Sequence, residues 1–249
     1  MSGSRVQAVS YAPPDDLADV VQRLWVGRWD LEGQEPHLTQ LIADPAVNLV
    51  FESTGARLVG VWTELWTREL TGRGLVRGIK LKPGAAMAFL PDEARSYSNR
   101  KMPLSDVLPG VSQVFEAAVD FGDDRAAVAS IFEWLRPLRR RAAGIAEAVA
   151  LMQFIHDSQV TRVDALAKHA SLSVRQLQRL FRHHVGATPK WVIRWSRLQE
   201  VAVRVEAGQA EDLADLAYDL GYSDQAHLAR DFRSATGRTL RGFESDLHR

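Results

Sequence analysis

The sequence predicts an α+β chain of two domains, a small mixed β/α domain over residues 1–140 and an all-α domain over residues 141–249. The second carries two helix-turn-helix units, over about 163–186 and 213–237, joined by a long helix. Three observations predict this. A pattern that opens at Leu166-Ala167 and closes at Gly186 returns at Leu216-Ala217 and closes at Gly237, and a repeat constrains architecture before any local reading does. Short runs rich in Val, Trp, Leu and Ile, broken by Gly, Pro, Asp or Asn, occupy residues 24–82 as strands do. From Val111 onward apolar residues recur at helical spacing. A chain of 249 residues is long enough for two ordinary domains.

Taken in order, Pro13-Pro14-Asp15-Asp16 marks a turn, and 17–24 is a short helix or an extended lead-in. Strands are predicted over 24–31, 47–52, 57–62, 66–70 and 75–82. Gly72-Arg73-Gly74 matches neither a dinucleotide fingerprint nor a P-loop and reads as a β-turn. Pro83-Gly84 ends the last strand, and 85–90 can form one or two helical turns. Val111, Val114, Phe115, Ala118 and Val119 then make one helix, stopped by Gly122. Asp123-Asp124 caps another, with Val128, Ile131, Phe132 and Leu135 inward as far as Pro137. The basic segment 136–141 is placed at the domain boundary, as a phosphate contact or an ordinary exposed linker.

A helix over 145–155 opens the second domain. In the first repeat a short helix ends near Ala170, Ser171-Leu172 forms the turn and Ser173 stands at the N-cap of the next helix. In the second, Leu220, Gly221-Tyr222 and Asp224 hold the same places, and Gly221 suits a position that needs positive φ. Between the repeats Thr188 caps and Pro189 enters the first turn of a helix running through Val205, ended by Gly208. Trp191 and Trp195 lie on the apolar face of that helix and read as core, not as base-stacking platforms.

The chemistry sits on the outward faces. Arg175, Gln178, Arg179 and Arg182 recur at i, i+3, i+4 and i+7, opposite Leu177, Leu180 and Phe181. Arg pairs bidentately with guanine and Gln with adenine in the major groove, while spare arginines hold phosphates. Residues 165–199 contain no Asp or Glu but hold Lys168, Arg175, Arg179, Arg182, Lys190, Arg194 and Arg197, which fits a surface for polyanions. The chain's net charge of zero hides this local excess. The second recognition helix offers Gln225, Ala226, Ala229 and Arg230 behind an acidic approach of Glu211, Asp212, Asp215 and Asp219. The candidate DNA-binding residues are therefore Ser173, Arg175, Gln178, Arg179, Arg182, Asp224, Gln225, Ala226 and Arg230.

Over residues 145–245 the chain resembles the AraC/XylS-type bacterial transcriptional regulators. The resemblance rests on Ala167, Ser173, Leu177, Arg179, Phe181, Gly186, Pro189 and Arg197, then on Leu216-Ala217, Gly221-Tyr222, Asp224, Leu228, Arg230, Phe232 and Gly237. Such proteins commonly carry Pro three residues after the last Gly. Here Leu240 stands there, and Thr239 is expected to cap the last helix regardless. The resemblance implies operator binding to double-stranded DNA, two major-groove contacts on one face, and recruitment or blocking of RNA polymerase. It also implies a small-molecule effector at the first domain and pairing of subunits into a homodimer.

Other classes are weakly served. With no cysteine there is no thiolate nucleophile, thiolate metal site or disulfide, which agrees with a cytoplasmic setting. His169, His183 and His184 lack companion ligands at useful spacing, and His37 stands alone in the first domain, so neither metal nor cofactor is expected. No nucleophile–base pair or carboxylate dyad supports an enzyme. No apolar run approaches the ~20 residues of a membrane span, and the start lacks a signal-peptide core. Trp25, Trp29, Trp62 and Trp66 read as core before ligand pocket, with Asp44, Asn48, Glu52 and Arg77 as polar groups such a pocket would use. The alternatives are a ligand-independent DNA binder whose first domain only dimerises, and an enzyme domain targeted to DNA.

Overall fold

The computed structural model describes residues 6–41, 44–158, 160–208, 212–240 and 242–243. Its strands are β1 (Val6–Tyr11), β2 (Val21–Leu31), β3 (His37–Leu41), β4 (Asn48–Glu52), β5 (Gly55–Val59), β6 (Trp66–Leu70), β7 (Gly72–Leu81) and β8 (Lys101–Pro103). Six form an antiparallel sheet in the order β1-β2-β7-β4-β5-β8, and β3 pairs with β6 as a separate ribbon. Residues 85–90 hold a single 3-10 turn, Ala86–Ala88. The segment 15–20 forms turns that lead directly into β2.

Because side chains alternate across a strand, register decides the two faces. Trp25 lies opposite Gly78 and Trp29 opposite Gly74. A Cβ on Gly78 would fall 2.4 Å from the Trp25 indole, and one on Gly74 1.9 Å from that of Trp29, so only glycine lets the rings lie on β7. This corrects the β-turn reading of residues 72–74: Gly72, Arg73 and Gly74 all stand in the β2–β7 ladder. On the same face the Trp25 indole donates to Asn48 (3.2 Å), and Arg68 of β6 makes two hydrogen bonds to Glu52, at 2.7 and 3.0 Å. The Arg68 guanidinium lies 5.2 Å from the Trp29 ring centre, and the Lys101 ammonium lies over both Trp62 and Trp66. The four half-buried tryptophans thus share their face with charged partners.

The opposite face carries Leu24, Val26, Leu49, Phe51, Leu58, Leu75, Ile79 and Leu81, all buried. Helix α1 (Val111–Val119) lies against it and α2 (Asp124–Leu135) packs on α1. Arg77 is on this face and is 0 % exposed. It is therefore turned away from Asn48 and Glu52, and Asp44 pairs with Lys80, so the four polar groups considered for one pocket are not assembled. The Arg77 guanidinium instead donates to Ala118 O (2.9 Å) and Asp120 O (2.7 Å) at the end of α1, and to the Asp124 carboxylate (2.5 Å) at the start of α2.

The remaining helices are α3 (Ile145–Ser158), α4 (Val163–His169), α5 (Val174–Leu180), α6 (Pro189–Glu206), α7 (Leu213–Asp219) and α8 (Gln225–Thr236), with a π turn over Phe181–Val185. Thr239 accepts from Gly242 N (3.1 Å), so a helical turn begins there with Leu240 in place of proline. The basic segment at 136–141 folds back on the first domain. Arg136 pairs with Asp16, Arg139 with Asp19, and Arg140 donates to Ala88 O and Leu90 O. Those three have partners within the protein, Arg136 and Arg139 in surface ion pairs. One buried apolar cluster runs from Leu17 to Ile193, straight across residues 140 and 141, and a second joins Leu198 to Leu240. The two apolar cores therefore part company inside α6.

Candidate nucleic-acid interface

The two repeats close with the same hydrogen bonds, Leu172 N to Ala167 O (3.0 Å) and Tyr222 N to Ala217 O (2.8 Å). Leu166, Leu177 and Phe181 in one, and Leu216, Leu228 and Phe232 in the other, are buried at matching places. Both turns need a left-handed residue: Gly221 has φ 70°, and Ser171, at the equivalent position, has φ 54°. An L-residue there is strained by about 1–2 kcal/mol. Glycine would relieve that but add unfolded-state entropy worth about 0.4–1 kcal/mol. Ser171→Gly is expected to stabilise the protein by about 0.5–1 kcal/mol, read as a higher denaturation midpoint.

Ser173 caps α5. Its hydroxyl accepts from Gln176 N, and Ser173 N donates back to Gln176 Oε1 (2.8 Å), a capping box. Asp224 caps α8 by accepting from His227 N (2.7 Å). That bond first, with Ser223, holds its carboxyl below the usual carboxylate range. Both residues thus sit at the leading ends of the recognition helices, already engaged with backbone. Arg175, Gln178, Arg179 and Arg182 are exposed, and among the described residues none is held by a hydrogen bond or ion pair. Gln225, Ala226 and Arg230 are likewise exposed on α8.

Two arginines of the acid-free run are spent elsewhere. Arg194 Nε donates to Asp231 Oδ1 (2.6 Å), and the Arg197 guanidinium stacks 3.8 Å from the Tyr222 ring centre. Counting acids along the chain missed Asp231, which lies 37 residues on from Arg194. Of the acidic approach to α8, Asp212 caps α7 and Asp219 pairs with Arg204 (3.2 Å), while Asp215 is exposed; Glu211 lies outside the described residues. Trp191 packs against the larger apolar cluster and its indole donates to Thr63 O (3.3 Å). Ser98 donates to Gly186 O (2.5 Å), which ties the β-rich part to the close of the first repeat as well as to α6.

His169 stacks on Phe154 with ring centres 3.5 Å apart, and His184 is buried in the π turn. Burial, then the neighbouring His183, pushes the His184 ring below its ordinary pKa. The unfolded chain then takes up a proton that the folded ring refuses, so stability is full above the unfolded value of about 6.5 and declines as pH falls below it. Denaturation midpoints at stepped pH should show this decline, with a shallower slope in His184→Gln.

A model described as a helix-turn-helix domain matches residues 166–245, and a domain of unknown function (DUF6597) matches residues 9–103. Over 91 residues the chain is 33% identical to the XylDLEGF operon transcriptional activator 3 of Pseudomonas putida, covering 35% of this chain and 28% of that protein. The chain therefore matches little more than a quarter of that relative's length. Over 84 residues it is 36% identical to the regulatory protein SoxS of Salmonella typhimurium, covering 34% of this chain and 78% of that protein. The chain belongs to the AraC/XylS family of transcriptional regulators. A structure of ToxT from Vibrio cholerae aligns over 98% of this chain and 99% of that one, at 10% identity and a TM-score of 0.45. The AraC/XylS-type helix-turn-helix match spans both recognition helices and the whole of α6. Among the described residues no helix is long and apolar enough to cross a membrane.

Proposed function

We propose that this AraC/XylS-type regulator reads double-stranded DNA through two successive major grooves, α5 entering one and α8 the next. Arg175, Gln178, Arg179 and Arg182 supply the first set of contacts, and Gln225, Ala226 and Arg230 the second. Ser173 and Asp224 fix the helix ends that enter the grooves. The observation that carries this reading is the pair of equivalent helices, each with an open polar face, held on one continuous spacer. That spacer has 18 residues. At ~1.5 Å per residue it is roughly 27 Å long, comparable with the ~34 Å between successive major grooves. The test is selection of bound duplexes from a random pool by the full-length protein at one stated salt concentration. Two half-sites about one helical turn apart are expected. Enrichment of no sequence, or of a single undivided site, overturns the reading.

Residues 1–140 serve in this reading as the sensing and dimerisation part of a homodimer, and residues 141–249 as the DNA-binding part, acting on RNA polymerase and not as an enzyme. Support for a small effector comes from a cavity of about 180 Å³ where the β-rich part meets both α6 and α8, with most of its lining from the DNA-binding part, so an effector there would touch both parts. Thr63, Leu65, Trp191, Trp195, Leu198 and Ala235 help to line it. The Trp195 indole N–H is buried and has no partner among the described residues. A compound that binds there raises the melting temperature of the full-length protein. A metabolite screen without any shift argues for the ligand-independent alternative.

A further inference from the structure

Helix α6 changes cores half-way along. Val192 and Ile193 are buried in the larger cluster, and Leu198, Val201, Ala202 and Val205 in the smaller one. Residues 194–197 bridge the handover. Ser196 points back and donates to Ile155 O of α3 (3.4 Å), while Arg194 and Arg197 reach forward to the second repeat. There, one carboxylate gathers the contacts. Asp231 Oδ1 accepts from Arg194 Nε at 2.6 Å, Asp231 Oδ2 accepts from the Tyr222 hydroxyl at 3.0 Å, and Arg194 Nη2 reaches Asp231 O at 3.5 Å. The Arg197 guanidinium carbon stands 3.8 Å from the Tyr222 ring centre, which brings a fourth side chain into the group.

The first repeat provides an internal control. With Leu172 matching Tyr222 and Phe181 matching Phe232, the counterparts of Tyr222 and Asp231 are Leu172 and Leu180. The first unit therefore closes the same turn, with the same backbone hydrogen bond, using leucine at both places. A helix-turn-helix of this sequence type does not need the polar pair in order to fold. What the second unit has in addition is an attachment to the middle of α6.

We propose that Asp231 is a positioning residue for two-headed DNA reading: held by Arg194 and Tyr222, it sets the rotation of α8 relative to α6 and so the half-site spacing the protein accepts. The reason is directional. Apolar contact in the smaller core tolerates sliding and rotation, whereas hydrogen bonds weaken steeply once their angles are lost. A change of one base pair in spacing turns the second half-site by roughly 36° about the duplex axis, given about 10 base pairs per turn. Burial first, then the Asp231 charge, raises the Tyr222 hydroxyl well above the ordinary tyrosine range, so it stays a donor even in mildly alkaline solution.

This inference rests on the two-groove reading, and its test separates the two. Half-sites selected by the wild-type full-length chain are placed on duplexes whose spacing is varied one base pair at a time, and affinities are measured at fixed salt. Wild type is expected to favour one spacing over its neighbours by about tenfold, and Asp231→Leu, which installs the first repeat's residue, to flatten that preference to about threefold or less. Affinity for an isolated first half-site should be unchanged. Arg194→Leu should flatten the preference equally, and the double variant should add nothing further, as expected of residues that act as one unit. Asp231→Asn keeps one acceptor oxygen and puts an NH2 donor in place of the other, so it should restore an intermediate preference, with helical content and melting curves showing that each variant is folded. A folded Asp231→Leu or Arg194→Leu protein whose spacing preference is as sharp as wild type overturns the inference and leaves two-groove reading intact. A wild-type protein with no affinity for paired half-sites overturns the two-groove reading itself.

Discussion

Arg77→Ala is expected to cost about 3–5 kcal/mol of stability, because it strips one partner from a buried charge pair and leaves the other behind. The guanidinium is fully buried and serves three clients: the last carbonyls of α1, the first turn of α2 through Asp124, and the sheet from which it projects. Its removal leaves Ala118 O and Asp120 O without their guanidinium donor and, among the described residues, leaves the carboxylate to Arg28 alone, at 2.6 Å. Burial alone would raise the Asp124 carboxyl, but hydrogen bonds from Arg28 and Arg77 outweigh it and hold the group below the usual carboxylate range. A carboxyl lowered in the folded state stabilises above its unfolded pKa, and that contribution is lost as pH falls through the folded value. Denaturant titrations of wild type, Arg77→Ala and Asp124→Asn across the acid range check both statements. Asp124→Asn should remove this group's share of the acid-dependent loss. A loss below about 1 kcal/mol in Arg77→Ala would show that the pair does not organise the sheet–helix junction.

Arg179→Ala is expected to weaken DNA binding by about 1–3 kcal/mol and to relax preference at one or two base pairs, the signature of a lost bidentate guanine contact. Gln225→Ala should cost less. The first recognition helix presents three cationic side chains and an amide, none engaged among the described residues. The second presents two alanines on its matching face, and Asp215 stands exposed on the helix before it. Phosphate repels that carboxylate and attracts the arginines of α5. Selection of bound sequences with wild type and each variant at one salt concentration gives the comparison. Equal information in both half-sites, or a greater loss from Gln225→Ala, contradicts unequal heads.

The helical half was the more legible part of the sequence, because its signals are local. Ser173, Thr188 and Asp224 announce helix starts within three residues of the bonds they make, and the repeat aligns the two turns by eye. What escaped was non-local. Strand β1 is mostly exposed and β3 holds few apolar residues, so neither offers the alternation that marks a half-buried strand. Asp231 was invisible as a partner of Arg194 because distance along the chain is no guide to distance in the fold. Arg77 did leave a signal. It falls in step with Leu75, Ile79 and Leu81 on a period of two, which places a charge on the apolar face and asks for a buried acid. Ser171 likewise shares its position with Gly221, and the repeat alone implied its left-handed backbone.

The sharing of α6 between two cores of unequal size also bears on cooperativity. Among the described residues the smaller core contains 11 buried residues and joins the second head to the far half of the helix. Local opening free energy follows the amount of buried apolar contact, so stability is graded along α6, high at Val192 and Ile193 and lower towards Val205. The second head is therefore expected to open as a unit of its own while the sheet, α1 to α5 and the near half of α6 remain closed. On the proposed two-groove reading, docking into the second groove would then draw on an equilibrium that the first groove never meets. Warming is then expected to weaken the contact of the second head with DNA sooner than that of the first.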